Sequence, residues 1–306
     1  MSAPLQASRE VILASCPLCG GGEATVVADG GPEGYEWVRC ACDAVFKRRG
    51  PRGTAAGDMD TAADTGRDDF TSGHEDAAGS AHYDDAYFSR YARRRRRRVS
   101  KSRRQILDAL EVAPPGRLLD VGCSLGYALE AARSLGLEAS GADLSAHAVA
   151  ECRRAGLDVH RGSLHVLPFE DASFAVVVLK HVFEHTPDPR GALAELRRVI
   201  IPGGAAFFAV PDVRYFKAVR NPATARFYRG EAARAHFVYY SPRTLARLLE
   251  EEGFRVASVH PRLVHRRGGL AVAALEMLAL PFRLPARLIA ESLGLRKEFW
   301  LVAVRT

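Results

Sequence analysis

The sequence lacks several features that would have assigned it to other classes of protein. No apolar run is long enough to cross a bilayer; the most apolar late stretch, Leu270 to Phe282, is short and contains Glu276. Near the N-terminus Arg9 and Glu10 precede any apolar run, so the core of a secretion signal is missing. There is no internal repeat. These absences argue against membrane-spanning, secreted and repeat proteins and lead us to expect a cytoplasmic protein.

Cysteine is also scarce, and its placement is informative. Of the six cysteines, four stand in the first 42 residues as two close pairs, Cys16 with Cys19 and Cys40 with Cys42. Such pairs are typical of a metal site rather than of a disulfide framework. Four thiolates suit a structural, tetrahedral zinc with no open position for catalysis. The second pair is C-x-C, one residue shorter than the usual C-x-x-C, so free thiols remain the alternative.

The 306 residues divide into three regions of different composition. Residues 11–49 hold the cysteine pairs and predict a zinc-ribbon-like module. Residues 50–82 are acidic and poor in large apolar side chains, so burial cannot offset an ordering entropy of about 1–2 kcal/mol per residue, and we expect a flexible linker. Residues 83–306 carry most of the apolar pattern. The net charge of +7 favours polyanionic partners without choosing among phosphates, nucleic acid and acidic lipid.

Strand-like and helix-like segments alternate through the third region. The runs RLLDVGC, EASGADL, FAVVVLK and AAFFAVPD lack a period of two, as fully buried parallel strands should. Helical spacing fills the segments between them, and a later helix begins after Ser241 and ends at Gly253. This alternation predicts an α/β domain with a doubly wound parallel sheet, its core at 117–212 and a C-terminal cap and last strands at 213–306.

One strand-to-helix turn carries the strongest chemical signal. A buried strand ends at Asp120, the turn contains Gly122 and Gly126, and a helix follows at once. Glycine lets the backbone approach a ligand, and the helix N-terminus offers free N–H groups. Asp143 ends the next strand, where an acidic side chain can bind the ribose of an adenosine cofactor. No G-x-G-x-x-G fits the turn, which argues against a dinucleotide; a purely structural glycine turn is the alternative.

These motifs resemble class I methyltransferases that use S-adenosylmethionine (SAM). LLDVGCSLG is similar to their first motif and GADLS to the acidic second one, while the segment from RGSLHVLPF to IIPGG resembles the core of the ubiquinone-pathway-like bacterial branch. The resemblance extends to the cysteine pairs, a module found in bacterial methyltransferases of glycan and natural-product pathways. It implies a Rossmann-like, mostly parallel seven-stranded sheet and SAM as cofactor.

The resemblance also implies a set of cofactor-binding residues. Ser163 and Leu164 would flank the adenine, and Lys180 and His181 would line the methyl-transfer pocket. Two positions depart from the family: Ser124 replaces the middle glycine of the first motif, and Ser163 replaces the usual acidic residue. The expected SAM-binding residues are Asp120, Gly122, Cys123, Gly126, Asp143, Leu144, Ser163, Leu164 and Lys180.

The segment KHVFEH places proton-carrying side chains just after a core strand, where open α/β sheets bind ligands. Histidine takes a proton near neutral pH, and methyl transfer to a hydroxyl or a carbon acid requires one to be removed. We predict His185 as general base with Glu184 orienting it, and His181 as the second candidate. A histidine that only caps or braces this turn is the alternative.

Other segments allow more than one interpretation. His236, Tyr239 and Tyr240 would contact the acceptor or simply pack an aromatic turn. The run Arg93–Arg98, continued by Lys101, Arg103 and Arg104, would be a solvated helix face, or would meet the acidic linker, a phosphorylated acceptor or RNA. Residues 262–298 alternate basic and apolar patches, which suits helices packed on the sheet or contact with a membrane surface.

The sequence therefore predicts transfer of a methyl group from SAM to a small-molecule, sugar or glycan-linked acceptor, with or without a phosphate. One alternative is an RNA methyltransferase that grips RNA with the zinc module and the arginine-rich helix. Nucleic acid is not expected, because LKHVFEH lacks the N/D-P-P-Y/F sequence that grips a flipped base. Another alternative is a non-catalytic binding protein. The acceptor, the methylated atom and the oligomeric state do not follow from the sequence.

Overall fold

The computed structural model describes residues 13–29, 35–49, 95–215, 228, 235–259 and 297–306. The predicted linker, the start of the arginine-rich helix at 83–94 and most of the 262–298 segment lie outside these residues. Among the described helices none has the length and apolar character needed to span a bilayer.

From residue 95 to β6 the described helices and strands alternate, and further helices separate β7 from β8 and β9 from β10. The elements of the first half are β1 (Ala24–Asp29), β2 (Tyr35–Cys40), β3 (Val45–Arg49), α1 (Arg95–Leu110), β4 (Leu118–Val121), α2 (Tyr127–Ser134), β5 (Ala139–Asp143), α3 (Ala146–Arg154) and β6 (Asp158–Arg161). Those of the second half are β7 (Phe174–Lys180), a 3-10 helix (Phe183–His185), α4 (Pro189–Val199), β8 (Ile200–Pro211), β9 (Val238–Tyr239), α5 (Pro242–Glu251), β10 (Phe254–Val259) and β11 (Glu298–Arg305).

Seven strands form the main sheet in the order β10-β11-β8-β7-β4-β5-β6. The five strands from β8 to β6 are parallel, and β11 runs antiparallel to both β8 and β10. The predicted Rossmann-like, doubly wound and mostly parallel sheet is therefore confirmed. Sequence reasoning did not mark β6, because four residues with one buried side chain give no periodic signal.

The two faces of the sheet are covered by different elements. Along β8, Ala205 and Phe207 pack with α1 and α2, whereas Ala206 and Phe208 pack with α4 and α5. This alternation follows from the period of two that every strand has. Both faces are covered, which explains why the core strands read as unbroken apolar runs.

The side chain predicted to begin the later helix does so. The hydroxyl of Ser241 accepts a hydrogen bond from the backbone of Thr244 at the start of α5, and Pro242 occupies the first helical position. Gly253 has φ +80 after the helix, a conformation that favours glycine. Asp188 caps α4 in the same way as Ser241 caps α5.

A second sheet joins the cysteine-bearing residues to the rest of the chain. Its order is β1-β2-β3-β9, so its last strand comes from the segment before α5. The pairing matches Val45 with Tyr239 and Phe46 with Val238. Phe46 and Val38 lie in the same apolar core as α4 and α5. The N-terminal sheet of β1, β2 and β3 thus gains its fourth strand, β9, from the C-terminal part of the α/β domain.

Candidate functional site

The turn after β4 is built so that only glycine fits at two positions. Gly122 has φ +67, and a Cβ there would lie 2.4 Å from a methyl group of Val182. Gly126 has φ +72 at the start of α2, and a Cβ there would lie 2.4 Å from Leu157. The backbone of the turn therefore packs closely against Val182 after β7 and against Leu157 before β6.

Ser124 and Asp143 are linked across this turn. The backbone N–H groups of Ser124 and Ser145 donate to the two carboxylate oxygens of Asp143, at 2.8 and 2.9 Å. Burial raises the pKa of Asp143, and these two hydrogen bonds oppose the rise. Each oxygen keeps a further lone pair, so the carboxylate is held in place and can still accept from a ribose hydroxyl.

Asp120 lies under the turn with a cation close by. Burial raises the pKa of Asp120 to about 6, with the charge of Lys180 lowering it and that of Asp143 raising it. Lys180 donates to the hydroxyl of Ser102 on α1 at 2.8 Å. Its pKa is lowered by burial, while the charge of Asp120 raises it. The end of β7 thus carries a partly buried ammonium group.

Apolar side chains are exposed on the loops after β5 and β6. Leu144 is 39% exposed and Val166 is 56% exposed, although both stand beside buried elements. Ser163 and Leu164 are buried, and the Ser163 hydroxyl accepts from the backbone of His165 and Val166 at 3.2 Å. The carboxyl ends of adjacent parallel strands thus present uncovered apolar surface next to Asp143.

Beyond β7, four charged side chains meet. The two ring nitrogens of His181 lie 3.1 Å from Glu184 and 2.8 Å from Glu298. Lys101 of α1 forms an ion pair with the same Glu298. Glu184 is fully buried, and its second oxygen has no hydrogen-bond partner among the described residues. Burial raises the pKa of Glu184, but the hydrogen bond from His181 outweighs it, so the carboxyl stays ionised.

His185 and His236 lie beside Glu184. Nδ1 of His185 lies 2.9 Å from the carbonyl oxygen of Ala235, which can only accept, so Nδ1 carries a proton, and in the neutral form of this ring the lone pair is on Nε2. The His185 and His236 rings meet edge to face at 4.7 Å. Burial lowers the pKa of His236 to about 3, and Nδ1 of its ring is hydrogen-bonded to the hydroxyl of Tyr239 at 3.0 Å.

The acceptor candidates Tyr239 and Tyr240 are both buried. Tyr239 packs on Trp37 with ring centroids 4.6 Å apart, and Tyr240 stacks on Phe183 at 5.4 Å. These contacts correspond to the packing alternative. His236, which lies next to Glu184, is the member of the group closest to the proton-carrying residues.

The four N-terminal cysteines converge. Cys16 and Cys42 sulfurs lie 3.6 Å apart, and those of Cys19 and Cys40 lie 3.4 Å apart. A tetrahedral zinc with bonds of about 2.3 Å would require sulfurs about 3.8 Å apart, so the geometry suits the metal. Burial raises the pKa of Cys16, and that of Cys42 to about 11. The short C-x-C pair causes no misfit, because it forms the turn between β2 and β3.

A second set of close ligand atoms among the described residues comes from Glu184, His185 and His236. In this set Oε1 of Glu184 is already hydrogen-bonded to His181, and Nδ1 of His185 and of His236 each have a hydrogen-bond partner, so we assign no metal to it. Cys123 and Cys152, by contrast, are buried in a small apolar cluster between β5 and α3, as expected for core residues.

Three residues of this region were missed by sequence reasoning. Glu298 enters from the last strand, Ser102 from a helix otherwise notable for its charge, and Val166 from an irregular loop. Glu298 is revealed by the antiparallel start of β11, Ser102 by its hydrogen bond with Lys180, and Val166 by its exposure. None of these observations can be made without the tertiary structure.

A family model described as a methyltransferase domain matches residues 91–259. An uncharacterized 37.1 kDa protein of a Streptomyces fradiae transposon is 34% identical over 51% of this chain and 48% of its own length. A ubiquinone biosynthesis O-methyltransferase from Methylococcus capsulatus is 33% identical over 36% of this chain and 50% of its own. The chain thus spans about half the length of these curated relatives.

Among solved structures, the crystal structure of a SAM dependent methyltransferase from Archaeoglobus fulgidus is similar to this one. It covers 72% of this chain and 100% of its own, with a TM-score of 0.52 and 19% identity. At that identity the likeness concerns the fold alone.

Proposed function

The chain belongs to the methyltransferase domain family, and on that basis we propose that it transfers a methyl group from SAM to a small-molecule acceptor. The observation that carries the proposal is the turn after β4, where two glycines cannot bear a side chain and Asp143 is fixed opposite them. These features stand at the carboxyl ends of parallel strands, which is where open α/β sheets bind ligands.

The residues around the turn fit the cofactor. Asp143 would accept from the ribose hydroxyls, and Leu144 and Val166 would cover the two sides of the adenine together with Leu164. The backbone of Gly122, Cys123 and Gly126 would lie under the methionine part. One carboxylate oxygen of Asp120, beneath the turn, has no hydrogen-bond partner among the described residues, as expected if a polar group of the cofactor completes it.

Proton removal is assigned to His185. SAM supplies, when bound, a methyl group on a positively charged sulfur, so the protein has only to align the acceptor and take its proton. The hydrogen bond from Nδ1 to Ala235 leaves the Nε2 lone pair of His185 as the proton acceptor. Ionised Glu184 would stabilise the resulting imidazolium. The raised pKa of His181 makes that ring a poor base.

We place hydroxyl acceptors first. The Methylococcus relative is named as an O-methyltransferase, and a hydroxyl must lose a proton, whereas most nitrogen acceptors need no base of this kind. A sugar or glycan hydroxyl remains within the proposal, in keeping with the sequence resemblance. Cys16, Cys19, Cys40 and Cys42 would hold a structural zinc, which is supported by the convergence of their sulfurs.

The test is a binding measurement followed by a transfer assay. We expect the protein to bind S-adenosylhomocysteine in calorimetry and the Asp143→Ala variant to bind about 10- to 100-fold more weakly, because hydrogen bonds to a charged group are lost. Asp171→Ala is the control, since that carboxylate is 78% exposed and far along the chain from the turn. Undetectable binding by the unaltered chain would favour a non-catalytic protein.

Labelled methyl should then pass from SAM into the small-molecule or glycan fraction of a lysate, with Asp143→Ala as the blank. Label that appears only in RNA would show that the acceptor is RNA and not a small molecule. It would also favour a role in RNA binding for the arginine-rich helix.

A further inference from the structure

The His181 side chain bridges two carboxylates that come from distant parts of the chain. Glu184 belongs to the 3-10 helix just after β7, and Glu298 opens β11, 117 positions beyond His181. Because β11 runs antiparallel to β8, its first residue lies at the edge where β7 and β8 end. The topology therefore brings Glu298 to the same edge of the sheet as the candidate site.

Hydrogen-bond chemistry fixes the protonation of this bridge. A carboxylate only accepts, and a neutral imidazole has only one N–H group. His181 faces an acceptor at each ring nitrogen, so both nitrogens must carry a proton and the ring is an imidazolium. Lys101 pairs with Glu298 from the other side, which keeps that carboxylate ionised.

We propose that Glu298 is a positioning residue for methyl transfer: it fixes His181 as an imidazolium, which in turn keeps the buried Glu184 ionised beside His185. This inference rests on the proposed function for its catalytic meaning, but the charge state of His181 is a property of the folded chain by itself.

The backbone supports a role for the ring. His181 has φ +56, in the left-handed region that non-glycine residues rarely adopt. Its N–H donates to the carbonyl of Ala209 at 2.9 Å, which holds the residue on the end of β8. The strained conformation directs the ring to both carboxylates, and the two charged hydrogen bonds offset the strain.

The electrostatics agree with the geometry. Partial burial opposes the charge on His181, but the hydrogen bonds to Glu184 and Glu298 outweigh it and raise its pKa to about 9. Burial raises the pKa of Glu298, and the contacts with His181 and Lys101 reverse this and lower it to about 2. His236 also faces His181 and stays neutral.

The consequence for the reaction concerns one proton. The acceptor hydroxyl gives its proton to Nε2 of His185 while its oxygen forms the new bond to the methyl carbon, and the electrons of the broken carbon–sulfur bond stay on sulfur. His185 then carries a positive charge. Glu184 compensates it, provided that Glu184 has remained ionised throughout.

The first experiment measures the ring directly. With 15N-labelled histidine, we expect His181 of the full chain to carry protons on both ring nitrogens at pH 7 and to titrate near pH 9. Its assignment comes from His181→Asn. In Glu298→Gln the titration should move down by at least about one unit, whereas in Glu250→Gln, an exposed position on α5, it should not move.

The second experiment measures turnover. In Glu298→Gln we expect kcat to fall about tenfold and its pH profile to shift, with the KM for SAM changed less than twofold and with Glu298→Asp partly restoring kcat. A His181 ring that carries one proton at pH 7, or a Glu298→Gln variant with an unchanged pH profile, overturns the inference. A doubly protonated ring in a chain that binds no SAM would instead leave this charge assignment standing and refute the proposed function.

Discussion

Among the residues of the candidate site with backbone angles in the left-handed region, Gly122, Ser124 and His181 adopt these angles for different physical reasons. Gly122 needs the angle because a side chain would collide with Val182. Ser124, with φ +50, needs it for the same turn but carries a side chain, and its buried hydroxyl has no partner among the described residues. His181 adopts it to reach two carboxylates. The angle at Gly122 is thus required by packing, and the angle at His181 follows from electrostatics. At Ser124 a residue with a side chain occupies a position that favours glycine.

The difference between the glycines can be measured. Gly122→Ala should lower the free energy of unfolding by more than Gly136→Ala, because both positions have a positive φ but only Gly122 has an atom in the place of the new Cβ. We expect about 1 kcal/mol for Gly136→Ala and about 2–4 kcal/mol for Gly122→Ala in urea unfolding. Equal losses would show that the turn relaxes freely.

Ser124→Gly should be neutral or stabilising by up to about 1 kcal/mol in the same urea unfolding measurement, since relief of backbone strain stabilises the folded chain while the added flexibility of glycine stabilises the unfolded one.

At the scale of elements, β3 and β9 connect the cysteine cluster to the proton-carrying residues. Cys40 ends β2, the turn to β3 contains Cys42, and β3 pairs with β9. The backbone of Lys47 donates to Phe237, and Phe237 in turn donates to the carbonyl of Glu184 at 2.8 Å. The Lys47 ammonium lies 4.4 Å from the centre of the Tyr35 ring, so a buried cation reinforces the same junction. A structural change at Cys40 and Cys42 would therefore alter the position of Glu184 through β3 and the segment that contains β9.

Arg190 makes a further connection between the same parts. Its guanidinium donates to the carbonyl of Leu18 in the first cysteine turn and pairs with Glu251 at the end of α5 and with Glu252 just after it. Because α4 and α5 both contact this turn, the cysteine-bearing residues pack directly against two helices of the α/β domain.

Removal of metal should therefore loosen β9. With a chelator under reducing conditions, or in Cys42→Ser, we expect amide exchange at Val238 and Tyr239 to accelerate at least tenfold while exchange in β4 is unchanged, because the proposed zinc would hold the turn that precedes β3. Cys152→Ala, which also removes a buried thiol, is the control and should leave β9 protected. Unchanged protection together with no zinc by elemental analysis would favour the free-thiol alternative.

At the scale of the whole molecule, one apolar core joins both sheets. It includes Cys16, Leu18, Val38 and Phe46 from the N-terminal part together with strand and helix residues of the α/β domain. Unfolding of the described regions should be a single cooperative transition, since the two parts share this core. A pH-dependent group in either part should then change the free energy of unfolding of both parts together.

Alkaline pH should destabilise the molecule through His181. Its pKa is about 9 when folded and about 6.5 when unfolded, so its stabilising contribution is complete below pH 6.5 and is lost as the pH rises towards 9. We expect a loss on the order of 1 kcal/mol over that range, after discounting for a side chain that is half exposed. Urea unfolding between pH 6.5 and 8.5 checks this.

His181→Asn serves as the control and should flatten that part of the profile. A parallel decline in both proteins would assign the effect to other groups, such as thiols that ionise in the unfolded chain.

The sequence by itself determined the parallel sheet, the glycine turn and the place of Asp143, because each depends on local chemistry: apolar strands buried on both faces, φ values that glycine favours, and a fixed distance to the next strand end. The cysteine pairs were likewise visible as pairs. These features need no knowledge of which distant segments meet.

The tertiary structure alone decided the rest. Glu298 reaches His181 only because the last strand runs antiparallel beside β8, and β9 completes the N-terminal sheet although nearly 190 residues separate it from β3. Whether His181 is a base or a fixed cation depends on two acceptors from different elements, and burial of Tyr240 depends on Phe183. Contacts between distant residues leave no periodic trace in a single sequence, so their chemistry appears only once the chain has folded.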